Sequence, residues 1–556
     1  MRNWVALAMA VGIASGVHPS AADEDAAGRA FAALRSGKLD EKQADAQVRA
    51  LADAMDRAKL TQTATVALST LASQQDAAGA AAARELQRRA RAGGLALALA
   101  VRLPIQGLDP AAAVRIARAH LDQALVLAPP PEGSAFAPME TADGPALLPA
   151  AAGAPLRTAS PEEAAQPIVS AVQRLANAEL ERARQIAAQV PAGDAAEGEA
   201  HEVSALAALA SGDTAAAEQE LAAVVRIVPK GDAAIERHEN AMLQLARLAY
   251  ARGDDARAQA LYARVSRGAP QWLDALFESS WSHFRRGEDE KALGNLLTLH
   301  APFFQGRYFP ESHVLEALLL YENCRYAEAR RALQEFQGRY RPVHDSLARA
   351  LQSMPTAQTV ADALTSGPQT LLASVPELAR PELRRLLATP EMDVSVRQIV
   401  AIASELDSMD QRGIDFRSST LALVVVPHVR EARIDLLQRT AERARTALAM
   451  ERSELRELLG QALRLDFEIA GREKELAAEP RQSIPAASRR PRTQVDDDEE
   501  LWPFQGEYWR DELGSYRFQL SDRCAHQPKA PPPQEAGLPA RAPAAAASAE
   551  SAAPAP

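Results

Sequence analysis

Residues 253–270, GDDARAQALYARVSRGAP, contain the pattern that decides the fold. A glycine opens the stretch, Ala258 follows, and bulky residues and a closing proline come after it. A glycine permits a tight connection between two antiparallel helices, and a small residue lets the helices approach closely. The stretch therefore predicts a helical hairpin. The same offsets counted from Gly212, Gly287 and Cys324 reach Ala217, Ala292 and Ala329.

These alanine positions are separated by 41, 34 and 37 residues. The tetratricopeptide repeat is a helical hairpin of about 34 residues with small and bulky residues at fixed positions and a closing proline. Because one hairpin leaves an apolar face exposed, neighbouring hairpins stack to complete the core. We predict an all-α protein with a tetratricopeptide-type helical solenoid at residues 161–342. The alternative is a generic alanine-rich bundle that matches this spacing by chance.

Composition supports helices and disfavours nucleic acid as a partner. Hydrophobic residues make up 47% of the 556 residues but aromatic residues only 4%, and alanine is abundant. Alanine favours helices, whereas strands favour β-branched and aromatic residues. The formal net charge of -11 provides no basic field for phosphates.

The first 22 residues have the layout of a signal peptide. Arg2 precedes an apolar run from Trp4 to Val17, and small residues lead to Ala22. The run is too short to span a bilayer comfortably, and no later segment is apolar for long enough. We expect cleavage near Ala22, a periplasmic location and no transmembrane segment in the mature chain. The alternative is a buried N-terminal helix.

Composition divides the rest of the chain into helical regions and linkers. Prolines and alanines accumulate in one linker, charges in another, and proline, alanine and serine dominate the tail, which we expect to be disordered. The predicted parts outside the repeats are an N-terminal helical region at 23–126, a Pro/Ala-rich linker at 127–160, an irregular helical region at 343–426, a charged linker at 481–500 and a tail at 525–556.

Residues 427–480 predict one long helix with a coiled-coil seam. Apolar residues recur there every seven residues, a spacing that forms a continuous stripe along a helix. Such a stripe pairs with another copy of the chain, with a partner, or with the repeats of the same chain, and the sequence does not choose among these. The first series of seam residues is Ile434, Ala441, Leu448, Leu455, Ala462 and Ile469.

Aromatic residues cluster in two places. Thirteen of the 25 lie between Tyr262 and Tyr340, and six more lie in a short block at 502–518. Because aromatic side chains bury the most apolar area, we predict that segment 501–524 docks on the repeats. The alternative is a free docking motif for another protein. The predicted docking residues are Trp272, Trp281, Phe303 and Phe304 on the repeats and Trp502, Phe504, Tyr508 and Trp509 in the block.

The only two cysteines, Cys324 and Cys524, are compatible with one disulfide in an oxidising compartment. Such a bond would tie segment 501–524 to the repeats. The alternative is two unrelated buried thiols.

Catalytic, metal and cofactor motifs are absent from the sequence. The ten histidines show no close ligand spacing, and there is no glycine-rich phosphate loop or nucleophile elbow. We therefore predict no catalytic, metal-binding or cofactor-binding residue and a protein that is not an enzyme. The alternatives are a helical peptidoglycan-active enzyme, which needs one glutamate in a cleft, and a purely structural coiled-coil oligomer.

Two stretches carry a resemblance to a known family. They are residues 272–342, especially YFPES at 308–312, and the block WPFQGEYWRDELG at 502–514. Both are similar to the periplasmic tetratricopeptide-repeat proteins of myxobacteria and their relatives. This resemblance implies a scaffold in the cell-envelope machinery of gliding motility, with envelope proteins as partners. We expect a concave repeat surface at 201–342 to hold a peptide or a partner helix.

Overall fold

The computed structural model describes residues 21–91, 110–127, 177–478 and 506–520, and every regular element in these ranges is helical. The predicted all-α class is confirmed. No helix in these ranges combines the length and apolar character needed to cross a membrane. Most of the predicted signal peptide, both predicted linkers and the tail lie outside the described residues.

The N-terminal helical part is built on alanine-rich apolar faces. In its second helix Val48, Leu51 and Met55 are buried at helical spacing, and Asp40 and Gln43 form a capping box at its start. Across the undescribed interval, His120 Nδ1 pairs with Glu179. The described helices here are α1 (Ala21–Arg35), α2 (Glu41–Arg57), α3 (Thr61–Ala72), α4 (Ala77–Arg91), α5 (Pro110–Leu127) and α6 (177–187).

Four helical hairpins follow, and each contacts the next along the chain. Their turns contain a residue with positive φ, a conformation that glycine adopts without steric cost. The turn residues are Gly212 (φ 80°), Gly253 (φ 79°), Gly287 (φ 70°) and Cys324 (φ 55°). The hairpin helices are α7 (Glu197–Ala210), α8 (Thr214–Arg226), α9 (Asp232–Ala251), α10 (Asp255–Tyr262), α11 (Trp272–Arg285), α12 (Asp289–Leu299), α13 (Pro310–Glu322) and α14 (Tyr326–Ser353).

The predicted end of the repeats at Pro342 is not a helix end in the structure, because α14 continues through this proline to Ser353. A proline inside a helix removes one backbone donor and costs about 3 kcal/mol. Tyr340 and Leu347 on either side of it are buried. Their burial offsets that cost and keeps the helix continuous.

Beyond α14, five helices of 4 to 21 residues lead to one helix of 59 residues, α20 (Thr420–Ala478). It begins at Thr420, earlier than the predicted boundary, and contains Pro427. Two 3-10 turns lie at Pro302–Phe304 and Glu377–Ala379. The helices of this part are α15 (Ala357–Thr365), α16 (Pro368–Ser374), α17 (Arg380–Leu387), α18 (Pro390–Asp410), α19 (Ile414–Arg417) and α20 (Thr420–Ala478).

Helix α20 packs on both ends of the helical array of its own chain. Its first part contacts α1, α3 and α18, and its later part contacts α13, α14, α15 and α17. The predicted seam residues from Ala441 to Ile469 are buried in this packing, whereas Ile434 is 56% exposed. Of the three arrangements left open by the sequence, the structure contains the return to the same chain.

A single carboxylate also fastens the C-terminal helices to the N-terminal ones. Glu405 of α18 accepts hydrogen bonds from the backbone N–H groups of Gln62 (2.7 Å) and Thr63 (2.9 Å) at the start of α3. The N-cap residue of α3 is Leu60, whose side chain accepts no hydrogen bond from these backbone N–H groups. Glu405 therefore supplies the missing cap from more than 340 residues away.

Candidate peptide-binding surface

The C-terminal segment, residues 506–520, lies along one face of α12. Gly514 N–H donates to Thr298 Oγ1 (2.9 Å), and Phe518 N–H donates to the carbonyl of Glu290 (3.0 Å). Glu290 and Thr298 lie two turns apart on the same face of the helix. Because the later segment residue meets the earlier helix residue, the segment runs antiparallel to α12. We call this face, made of Glu290, Gly294 and Thr298, the α12 surface.

Two glycines permit the close approach of the segment to the α12 surface. A Cβ atom at Gly294 would overlap the carbonyl oxygen of Tyr516. A Cβ atom at Gly514 would lie 2.8 Å from Cζ2 of Trp272, closer than real side chains allow. The backbone of the segment therefore packs directly on the α12 helix at Gly294 and on the Trp272 side chain at Gly514.

Basic side chains hold the edges of the segment. Arg267 donates to the carbonyl of Asp511 (2.6 Å), and the guanidinium of Arg325 lies 4.9 Å from the centre of the Phe518 ring. Near Asp511, at the end of the segment away from Phe518, the guanidinium of Arg510 lies 5.3 Å from the centre of the Phe303 ring. Cation–π pairs of this kind contribute roughly 0.5–1 kcal/mol each at exposed sites.

The predicted docking aromatics on the repeats have different environments. Trp272 is half-buried and contacts both Phe304, at a ring distance of 6.2 Å, and the segment at Gly514. Phe303 is 47% exposed and lies under Arg510. Trp281 was predicted to be a docking residue for the segment, but it is buried in the core against Phe284.

In the segment itself, Tyr508 is half-buried and makes an edge contact with the Tyr516 ring. Trp509 is 53% exposed. Trp502 and Phe504 lie outside the described residues.

The predicted packing residues lie at equivalent points of the four hairpins. Ala217, Ala258, Ala292 and Ala329 are each 0% exposed, and each follows the turn residue of its hairpin. A larger side chain at these points would force the two helices apart.

Cys324 occupies the turn position where the other three hairpins have glycine. It is disulfide-bonded. Its predicted partner, Cys524, lies outside the described residues, so the pairing itself stays a prediction. The next residue, Arg325, contacts the C-terminal segment.

Buried carboxylates lie on the first helices of two hairpins, and one of them, Glu311, faces α20. Glu278 of α11 is buried and accepts hydrogen bonds from Arg247 (2.6 Å for the shortest). Burial raises the pKa of Glu311 well above its usual range, and the carboxylate of Glu454 on α20 raises it further. Burial and the neighbouring Glu451 raise the pKa of Glu454 to about 7.

A general acid needs such a pKa, but it must also reach a substrate. Glu311 is 9% exposed and packs beneath α20. A surface cavity between α15 and α18, which includes Leu364 and Asp407, contains none of the three glutamates. These glutamates therefore pack between helices and do not line that cavity.

Sequence reasoning missed the residues that contact the segment most closely. Gly294, Thr298 and Gly514 were not identified, nor was Arg325. One signal was present, because a glycine inside an otherwise helical pattern often marks a close backbone approach.

No family model matches this chain, and neither a curated protein nor a solved structure matches it. The resemblance to periplasmic tetratricopeptide-repeat proteins therefore depends on the residues quoted for it and stays a prediction. The function has to be inferred from the contacts of the described residues.

Proposed function

We propose that this protein is a non-enzymatic scaffold of the tetratricopeptide-repeat type that binds extended segments of other proteins. One observation supports this most directly: the array already holds a non-helical segment of its own chain on the α12 surface. Recognition of an extended peptide needs backbone hydrogen bonds for affinity and side-chain pockets for specificity. The α12 surface offers the hydrogen-bond acceptors, and Trp272 and Arg325 beside it contact the segment with their side chains.

The hydrogen bonds to the α12 surface come from the backbone of the segment. The donors are the N–H groups of Gly514, Phe518 and Leu520, so these bonds do not depend on side-chain identity. The half-buried Trp272 and the cation–π pair between Arg325 and Phe518 add the side-chain component. A segment with a glycine and an aromatic residue four positions later, like Gly514 and Phe518, matches this surface.

The partners in this proposal are proteins of the bacterial cell envelope, and the location is the periplasm. The apolar run at Trp4 to Val17 supports export, and the resemblance of residues 272–342 and 502–514 supports the envelope, including the gliding machinery. Self-association through α20 stays a prediction. Measuring the mass in solution before and after replacing the exposed Phe467 of this helix by serine tests it.

Binding of a peptide in trans tests the scaffold proposal. A fluorescent peptide of residues 501–524 carrying Cys524→Ser is titrated into reduced full-length protein. The tethered segment competes at a high effective concentration, so we expect weak binding to the unchanged chain. Gly514→Leu weakens the tethered copy against Trp272 and leaves the α12 surface intact. We expect binding to this variant to be at least about tenfold tighter.

Adding Gly294→Ala to the same variant blocks the α12 surface, and we expect peptide binding to disappear. Gly338→Ala is the matched control, because a Cβ there has nothing within 4 Å. Equal binding to all the variants would contradict the proposal. Digestion of peptidoglycan by the purified protein would favour the enzyme instead.

A further inference from the structure

Two histidines and a glutamate meet where α12 ends and α13 begins. His300 is the C-cap residue of α12, while His313 and Glu316 lie one turn apart on α13. One potential ligand atom from each residue lies within 4.8 Å of the other two. The sequence predicted no metal site, since His300 and His313 are too far apart in the chain to form a recognisable motif.

The hydrogen bonds of His300 fix the position of one of its protons. Ser312 Oγ donates to the carbonyl of Phe309 (2.6 Å), because a carbonyl only accepts. Ser312 Oγ therefore accepts from His300 Nε2, at 2.8 Å, so Nε2 carries a hydrogen. The other nitrogen, Nδ1, faces Glu316 Oε2 at 3.2 Å. In the neutral ring two lone pairs face each other there, an arrangement that a cation between them stabilises.

His313 supplies a second lone pair at the same place. Its side chain is buried, at 7% exposure, and its Nδ1 has no hydrogen-bond partner. A buried ring nitrogen without a hydrogen-bond partner is an atom that a bound cation would satisfy, and neutral imidazole is the form in which histidine coordinates a metal.

Binding of a metal ion requires one change in this geometry. The rings of His300 and His313 are stacked, with centroids 4.1 Å apart and planes 9° apart. A metal ion bonded at about 2.0–2.1 Å lies near the plane of each imidazole, so the His300 ring must turn out of the stack. Its position after the last turn of α12 permits this, and its side chain is 19% exposed.

We propose that His300, His313 and Glu316 bind one divalent transition-metal ion of the Zn²⁺ class. Two imidazoles and one carboxylate are a common protein ligand set for zinc, with water in the fourth position. Glu316 also acts electrostatically on Tyr508 of the C-terminal segment. An ion at this site would therefore join α12 to α13 beside the segment.

Competition between the protein and a chromophoric zinc chelator tests this, with the full-length oxidised protein and Zn²⁺ as the probe. The chain has ten histidines, so stoichiometry alone does not identify the site. We expect one equivalent of Zn²⁺ to bind, with affinity at least about tenfold lower in Glu316→Gln and in His313→Asn. His428→Asn is the control, because His428 is 53% exposed on α20 and remote in sequence.

Circular dichroism shows whether each variant is folded. Glu316→Gln is the decisive variant if His313→Asn fails to fold, since the Glu316 side chain is partly exposed. Loss of one site in Glu316→Gln with retention in His428→Asn supports the proposal. Equal affinity in the wild-type protein and Glu316→Gln, or no binding by the wild-type protein, overturns it.

Discussion

Helix α20 and the C-terminal segment both fold back onto the hairpins, but by different interactions. Helix α20 buries apolar side chains, with Leu448, Leu455 and Ile469 at most 3% exposed. The segment is held by backbone hydrogen bonds, by basic side chains and by a few apolar side chains such as Phe518 and Leu520, and its Trp509 remains 53% exposed. Leu513 is a buried apolar side chain of the segment.

In the proposed function, this difference separates a permanent part of the fold, α20, from a segment that exchanges with other chains. Burial of apolar area stabilises by roughly 25 cal/mol per Å², and a long helix accumulates it over many residues. A net hydrogen bond contributes only about 0.5–1.5 kcal/mol. Because the segment makes few such bonds, we expect that another chain of similar backbone geometry replaces it more easily than any chain replaces α20.

The largest expected effect is on α20. Leu455→Ala removes a fully buried side chain from its packing and leaves a cavity, so we expect a loss of about 2–5 kcal/mol in the free energy of unfolding. Urea denaturation followed by circular dichroism measures it. Leu463→Ala in the same helix is the control, because Leu463 is 51% exposed. Equal losses in both variants would refute packing of this face of α20 on the array.

Gly294→Ala gives the contrasting case at the segment. Alanine favours the helix by about 0.5–1 kcal/mol over glycine, so global stability should not fall. The new Cβ meets the Tyr516 carbonyl, and we expect the segment to leave the α12 surface. Hydrogen exchange of Phe518 and Leu520, after reduction, should become as fast as in an unfolded peptide.

Gly338→Ala makes the same chemical change on α14, where a Cβ has nothing within 4 Å. Protection of the segment should persist in this control. If both variants keep the protection, backbone contact at Gly294 is not what positions the segment.

The smallest expected effect is on the pH dependence of stability, through the carboxyl group of Glu454 on α20. The pKa of Glu454 is raised to about 7 from 4.5, so the folded protein binds the proton more tightly than the unfolded chain. Its stabilising contribution is present below about pH 4.5 and is lost as the pH rises towards 7. Glu454→Gln should reduce the loss of stability between pH 5 and pH 8 by roughly 1–2 kcal/mol.

Glu431→Gln, which changes an 80% exposed side chain on the same helix, should leave the pH dependence unchanged. The measurement is the urea midpoint at the two pH values. An identical pH dependence in the wild-type protein and Glu454→Gln would show that this carboxyl is not desolvated by the packing of α20.

The all-α class and the hairpin turns were predictable from the sequence because they depend on local spacing. Gly212, Gly253 and Gly287 take the positive φ that a tight turn requires, and the alanines after them are buried. Local sterics at these positions leave few alternatives. The seam of α20 was visible for the same reason, since its period is a property of one helix.

Only the tertiary structure decided what each surface packs against. An apolar stripe has no preferred partner by itself, so the sequence left three partners open for α20. In the structure, α20 packs on the helices of its own chain. The contact between Gly294 and Tyr516 and the cap that Glu405 gives to α3 both join residues that are distant in the chain. These pairings depend on the summed packing of many helices, which no local pattern encodes.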